Sequence, residues 1–326
     1  MESSDKSEEK NRHPVMEHIA YGESAASILV DTSMLRGEEF NRIRHKISAV
    51  VKNWESQLTE LLAEANSLLI RQNDELQNLS ERLKMEMEQI QRIQENLLPQ
   101  ELPEFPGLEF ASHYLPSTEA SGDYYDFLEL TRHHLGVLVA DVSGHGAASA
   151  VVMSITRVLA QAHLNQLLHA GGALSVLNGL MARFIPGDQF VTAVYAIFNN
   201  LTHKLQYATA GHPPPILWNA REKQSSILPT KPRFPLRLFL QVEYETLEVS
   251  LEPGDAVIFY TDGLTELANA DGEMVGEKKL AEWVHECPTK TASGFLWHIL
   301  DKASLYTQGL PPKDDFTIVV LRRLQE

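Results

Sequence analysis

The chain has 326 residues, 43% of them hydrophobic, with a single cysteine and a formal net charge of −16 at pH 7. This length can bury a sizeable core in one or two domains, the lone Cys287 excludes an intrachain disulfide and suits a reducing compartment, and the acidic balance offers no basic stripe for a nucleic-acid backbone. The start lacks the charged, apolar, small-residue order of a signal peptide, and even the apolar run 146–162 is interrupted by Arg157, so a cytoplasmic protein without membrane insertion is expected.

Residues 1–35 are polar and irregular, with Ile28-Leu29-Val30 as one short apolar piece, and read as a flexible tail. Residues 36–98 read as one long helix. From Leu58, positions spaced alternately four and three apart are Leu58, Leu62, Ala65, Leu69, Gln72, Leu76, Leu79, Leu83, Glu86, Ile90, Ile93 and Leu97, apolar everywhere except Gln72 and Glu86. A 3.5-residue period sustained over about 40 residues keeps one seam facing a partner helix, the pattern of a left-handed coiled coil. A homodimer through this helix is expected. Pro99 and Pro103 then stop it, and a globular part follows over 99–326.

Apolar runs at 108–115, 123–130 and 135–142 read as neighbouring strands. Helical spacing returns at 146–165 and 173–184, strand character at 190–198, 204–209, 215–218, 246–251 and 256–260, helices at 276–286 and 292–304, and a last strand at 316–322. Strands, two helices, strands, two helices and a strand fit an α+β fold of sheets with helix layers outside better than repeated βαβ units.

Four aspartates stand where such strands break on small residues: Asp123 in Ser121-Gly122-Asp123, Asp141 in Asp141-Val142-Ser143-Gly144-His145-Gly146, Asp262 in Tyr260-Thr261-Asp262-Gly263, and Asp314 in Lys313-Asp314-Asp315-Phe316-Thr317. Each fragment alone is an ordinary turn. Jointly, and brought together by strand ends, they suit an oxygen-only cage for Mg²⁺ or Mn²⁺, because converging carboxylates repel one another unless divalent cations compensate them. Two such ions hydrolyse a phosphate ester without a nucleophilic side chain. The chain has no Gly-x-Ser-x-Gly elbow, no Walker P-loop and no catalytic loop around Cys287.

Over about residues 96 to 324 the chain resembles the metal-dependent (PPM-type) serine/threonine protein phosphatases, in the bacterial branch of RsbU and SpoIIE. The resemblance rests on Asn96-Leu97-Leu98-Pro99, the run from Glu119 to Phe127, the Asp141 motif, Ala210-Gly211-His212-Pro213-Pro214, Pro253-Gly254-Asp255, Tyr260-Thr261-Asp262-Gly263 with Glu266, and Asp314-Asp315-Phe316-Thr317, in that order. It implies an α-β-β-α sandwich of two antiparallel sheets and two Mn²⁺ or Mg²⁺ ions. Asp141 would bridge both ions, the Val142 carbonyl would meet one, Asp262 and Asp314 would hold the other, and Asp123 would act directly or through a water. The family attacks phosphoserine or phosphothreonine of a partner protein with the metal-bridging water. In this branch the partner is an anti-sigma-factor antagonist, dephosphorylated in a partner-switching pathway that alters transcription. The alternative is a catalytically silent module of the same fold that sequesters a regulatory partner. Of the adjacent Asp314 and Asp315, only one can readily face the metals, and both are carried as candidate ligands. His145 and His212 read as hydrogen-bonding residues of turns, with orientation of phosphate or water as the alternative, and Asp188 reads as a turn residue, with a third metal site as the alternative. Two departures from the family pattern stand out: Pro213 where asparagine is common, and Pro235-Leu236-Arg237 where Pro-Leu-Gly is usual.

Overall fold

A computed structural model describes residues 16–21, 26–31, 37–117, 120–144 and 146–325. The chain divides into two compact units, Met1–Glu81 and Arg82–Glu326. In the first, β1 (Met16–Tyr21) pairs antiparallel with β2 (Ala26–Asp31). The flexible-tail reading is corrected for these two stretches, whose sequences carry strand-favouring residues such as Ile19, Ile28 and Val30. The rest of that segment lies outside the described residues, as do Glu119 and His145.

Helix α1 runs without a break from Gly37 to Leu97, stopping just before Pro99. The seam leucines 58, 62, 69, 76, 79 and 83 are each more than half exposed, so this stripe finds no cover among the described residues. The last turns of the helix behave differently. Gln94 is buried, and its amide pairs twice with the backbone of Ser121: Nε2 donates to the Ser121 carbonyl (2.7 Å) and Oε1 accepts from the Ser121 N–H (3.1 Å).

The second unit continues with β3 (Leu108–Leu115), β4 (Tyr124–Thr131), β5 (His134–Val142), α2 (Ala147–His163), α3 (Ala170–Phe184), β6 (Val191–Asn199), β7 (Lys204–Ala210), β8 (Ile216–Asn219), β9 (Gln224–Ile227), β10 (Leu247–Ser250), β11 (Ala256–Tyr260), α4 (Asp262–Thr265), α5 (Gly276–Glu286), α6 (Ala292–Thr307) and β12 (Phe316–Arg323). These strands form two five-stranded sheets, ordered β10-β7-β6-β5-β4 and β3-β12-β11-β8-β9, with antiparallel neighbours throughout. Helices α2 and α3 pack on the first sheet, α5 and α6 on the second. This is the sandwich with outer helices expected from the segment order.

Period-two alternation explains why the second sheet reads as continuous apolar runs: both of its faces are covered. Val257, Phe259, Val319 and Leu321 join a core shared with the first sheet, whereas Ile258, Tyr260, Ile318 and Val320 join a separate core under α5 and α6. Each such aliphatic side chain contributes about 1.5–3 kcal/mol by leaving water. The sequence reading did not contain β9, whose Gln-Ser-Ser-Ile lacks an alternating signal, or α4, a single turn.

Arg237 occupies the position where the resembled family has glycine. Its φ is +73°, a left-handed conformation that costs a non-glycine residue about 1 kcal/mol. The side chain offsets this cost. Its backbone N–H donates to Asn178 Oδ1 (2.7 Å) and its guanidinium donates to the carbonyls of Ile185, Gly187 and Gln189, tying down the loop that leaves α3.

Candidate active site

Strand register assembles the acidic residues in pairs. Tyr124 lies opposite Ala140 in the β4–β5 ladder, which sets Asp123 beside Asp141. Tyr260 lies opposite Ile318 in the β11–β12 ladder, which sets Thr261 and Asp262 beside the chain that carries Asp314, Asp315 and Thr317. The two pairs meet through Asp123. Thr261 Oγ1 donates to Asp123 Oδ2 (2.8 Å), and Thr317 Oγ1 donates to the same oxygen (2.7 Å). Thr261 Oγ1 also accepts from the Thr317 N–H (2.8 Å). One carboxylate oxygen of Asp123 is thus fixed by two hydroxyls from the other sheet, while its buried Oδ1 has no hydrogen-bond partner among the described residues.

Close backbone approach is built into two glycines. A Cβ on Gly122 would come within 2.6 Å of the Val142 carbonyl oxygen and 3.1 Å of Asp141 Oδ1. A Cβ on Gly263 would come within 2.0 Å of the Asp315 carbonyl oxygen. No side chain fits at either place without moving the strand that bears a neighbouring aspartate.

The electrostatics follow from this crowding. Burial, then Asp262, Asp314, Asp315 and Glu266, push the Asp141 carboxyl up to about 7. Burial and Asp141 raise Asp123 well above the usual carboxylate range, against the two threonine hydroxyls that lower it. Asp262, at the start of α4, is raised by burial and Asp314, against the N–H groups of its own helix turn. Exposed Glu266 is raised by partial burial and by Asp262 and Asp314.

One expectation needs correction. Asp315 does not share the position of Asp314. Its Oδ1 accepts from the N–H (2.6 Å) and hydroxyl (2.9 Å) of Ser117, and its Oδ2 accepts from the Gly122 N–H (3.0 Å). It is buried, with both oxygens engaged in holding the loop before Asp123, whereas Asp314 is exposed on the acidic side. Among the described residues no three His, Cys, Asp or Glu are grouped tightly enough to hold a metal ion.

The sequence reading passed over the Thr261 and Thr317 hydroxyls and gave Glu266 no role. The spacing of Glu266, four residues beyond Asp262 and hence one helical turn, was the available signal. His212 is buried and neutral: its Nδ1 meets Thr192 Oγ1 at 2.9 Å, and burial lowers it to about 3, opposed more weakly by the Tyr260 backbone. Thr192 stands opposite Asp141 in the β5–β6 ladder, so His212 supports the site from behind. Ser143 exchanges hydrogen bonds with the backbone of Phe190, and exposed Asp188 lies in the adjoining loop held by Arg237. Asp255 caps a turn through the N–H groups of Ala220 (2.7 Å) and Glu252 (2.8 Å).

The family described as Stage II sporulation protein E (SpoIIE) matches residues 131–324, more than half of the chain. The chain belongs to the SpoIIE family. That match takes in Asp141, Asp262, Asp314 and Asp315 and begins after Asp123. Over 316 residues the chain is 26% identical to phosphoserine phosphatase RsbU of Bacillus subtilis (strain 168), covering 90% of this chain and 93% of that protein. A crystal structure of the RsbU and RsbW domains of a Mycobacterium tuberculosis protein is 27% identical, with a TM-score of 0.60 over 68% of this chain and 61% of that one. The SiaA-PP2C domain of Pseudomonas aeruginosa, 19% identical, superposes with a TM-score of 0.65 over 74% of this chain and 97% of that domain. With SpoIIE membership come the PP2C-type sandwich and the phosphatase class of enzyme. Among the described residues no helix is long and apolar enough to cross a membrane.

Proposed function

We propose that the chain removes phosphate from phosphoserine or phosphothreonine of a regulatory protein, of the anti-sigma-factor-antagonist type, in a cytoplasmic partner-switching pathway. The observation that carries the chemistry is the gathering of acids around Asp141, whose carboxyl is raised to about 7 by burial and by Asp262, Asp314, Asp315 and Glu266. Such an arrangement suits external cations. The donor set is all oxygen and therefore fits Mg²⁺ or Mn²⁺ rather than zinc, and the buried, unpartnered Oδ1 of Asp123 fits a further ligand or a water at the same place.

Asp141, the Val142 carbonyl, Asp262 and Asp314 would hold two such ions, with Asp123 at their side. When bound, divalent ions supply hydroxide from water at neutral pH and polarise phosphoryl oxygens. The remaining work belongs to the protein. Thr261 and Thr317 orient Asp123, leaving Oδ1 free to hold a water or a ligand. Asp315 keeps Gly122 pressed against Asp141 and Val142, and Gly263 lets the α4 turn approach β12.

The partner class is drawn from the motif series and from kinship with RsbU. A homodimer is supported by the exposed leucine seam of α1. Turnover of p-nitrophenyl phosphate by the full chain, dependent on Mn²⁺ or Mg²⁺ and abolished by a chelator, is the expected result; no turnover of it or of any phosphoprotein in either metal would instead favour the silent module. Cysteines placed at Leu76 and Leu83 are expected to crosslink two chains under mild oxidation, and a chain that stays monomeric would remove the dimer.

A further inference from the structure

The acidic end of the sandwich opens into a cleft. Its first part, about 400 Å³, begins at Glu266 and Asp314 and passes between the chain after α4 and the chain before β12, walled by Leu267, Met274, Leu310 and Pro311. Its second part, about 270 Å³, shares Leu267, Thr307, Leu310 and Pro312 with the first and runs on between β3 and α6 over Leu115, Leu300 and Phe316. Met274 and Leu310 are 63% and 58% exposed at its mouth. An apolar trough that starts at two of the acids and leads away from them is continuous with the place where a phosphoryl group is processed.

We propose that this cleft holds the substrate polypeptide beside the phosphorylated residue, by taking an apolar side chain two positions away from it. The inference rests on the phosphatase reading and adds a substrate preference to it. A protein phosphatase cannot enclose its whole substrate, so the chain on at least one side of the phosphoresidue must lie along the surface. In an extended segment, residues two apart point to the same side and are about 7 Å apart. A residue so placed reaches the first part of the cleft while the phosphoryl group stays at the acids. Leucine, methionine or valine there would cover Met274, Leu267 and Leu310 and release water from both surfaces. Aspartate there would instead lose its hydration against apolar walls that offer no hydrogen-bond donor, beside the carboxylate of Glu266. Among the described residues, Lys313 is the one cation lining the first part.

The test uses the full chain with Mn²⁺, p-nitrophenyl phosphate, and phosphoserine decapeptides that differ only in carrying leucine or aspartate two residues before or two residues after the phosphoserine. On one of the two sides, kcat/KM is expected to favour leucine by about tenfold or more, the range of an apolar specificity pocket. Met274→Asp combined with Leu310→Asp alters exposed positions. It is expected to erase that preference and lower kcat/KM for the leucine peptide about tenfold, while p-nitrophenyl phosphate turnover stays within twofold. Turnover of p-nitrophenyl phosphate without discrimination between the peptides by the unaltered chain overturns the inference, whatever the variant does. So does a double variant that keeps the preference. Absence of p-nitrophenyl phosphate turnover in the unaltered chain removes the phosphatase reading itself, a different result.

Discussion

Replacing Asp141 with asparagine is expected to lower Mn²⁺-dependent turnover of p-nitrophenyl phosphate about a thousandfold or more and, in the same protein, to raise the thermal stability of the metal-free form. The two effects have opposite signs because Asp141 serves catalysis at the expense of the fold. Its carboxyl is raised to about 7 by burial and by Asp262, Asp314, Asp315 and Glu266, so the folded chain prefers it protonated, whereas the unfolded chain ionises it near the model value of 3.8. For an acid raised on folding, the favourable contribution is fully present below the unfolded value and is lost as pH rises through the folded one. The metal-free parent should therefore lose about 2–4 kcal/mol between roughly pH 4 and pH 8, and Asp141→Asn should lose markedly less. Loss of a bridging carboxylate removes several kcal/mol of transition-state stabilisation. Thermal unfolding in chelator across this pH range, beside steady-state kinetics in Mn²⁺, checks both halves. A loss of activity below about tenfold would contradict the bridging role.

The adjacent pair Asp314 and Asp315 should separate just as sharply. Asp315→Ala leaves the N–H and hydroxyl of Ser117 and the N–H of Gly122 without the carboxylate that accepts from them. The Gly122 donor is buried and those of Ser117 are partly buried; an abandoned buried donor costs about 1–3 kcal/mol, and a half-buried one less. We expect about 3 kcal/mol of destabilisation, seen as a melting point lower by about 6–12 °C for a unit of this size. Asp314→Asn alters an exposed side chain and should melt within about 2 °C of the parent, yet lose activity a hundredfold or more. Melting curves and turnover per folded molecule distinguish the two. If Asp315→Ala melted like the parent while Asp314→Asn remained active, the assignment of one to scaffolding and the other to the ions would be reversed.

Much of this was legible in the chain because buried strands announce themselves locally. The apolar runs ending at Asp141 and before Asp262 are β5 and β11, and the helix read at 276–286 is α5, Gly276–Glu286. What was not legible depends on partners far away in sequence. The choice between Asp314 and Asp315 is made by Ser117 and Gly122, nearly two hundred residues earlier. Thr261 and Thr317 look like ordinary strand-end residues until the two sheets are stacked and both hydroxyls fall on Asp123. Arg237 read as a departure from Pro-Leu-Gly; its left-handed backbone and three carbonyl partners explain how the position accepts a side chain. Gln94, next to the apolar seam of α1, had no signal of its own, because polar helix residues are usually solvated.

The paired amide between Gln94 and Ser121 has a mechanical consequence. Both of its hydrogen bonds are buried, so water cannot replace them if they break. The next residues along, Gly122 and Asp123, are themselves held by Asp315, Thr261 and Thr317. Pulling the end of α1 away from this loop would therefore bare a carbonyl and an N–H in the interior, at a cost of about 1–3 kcal/mol each.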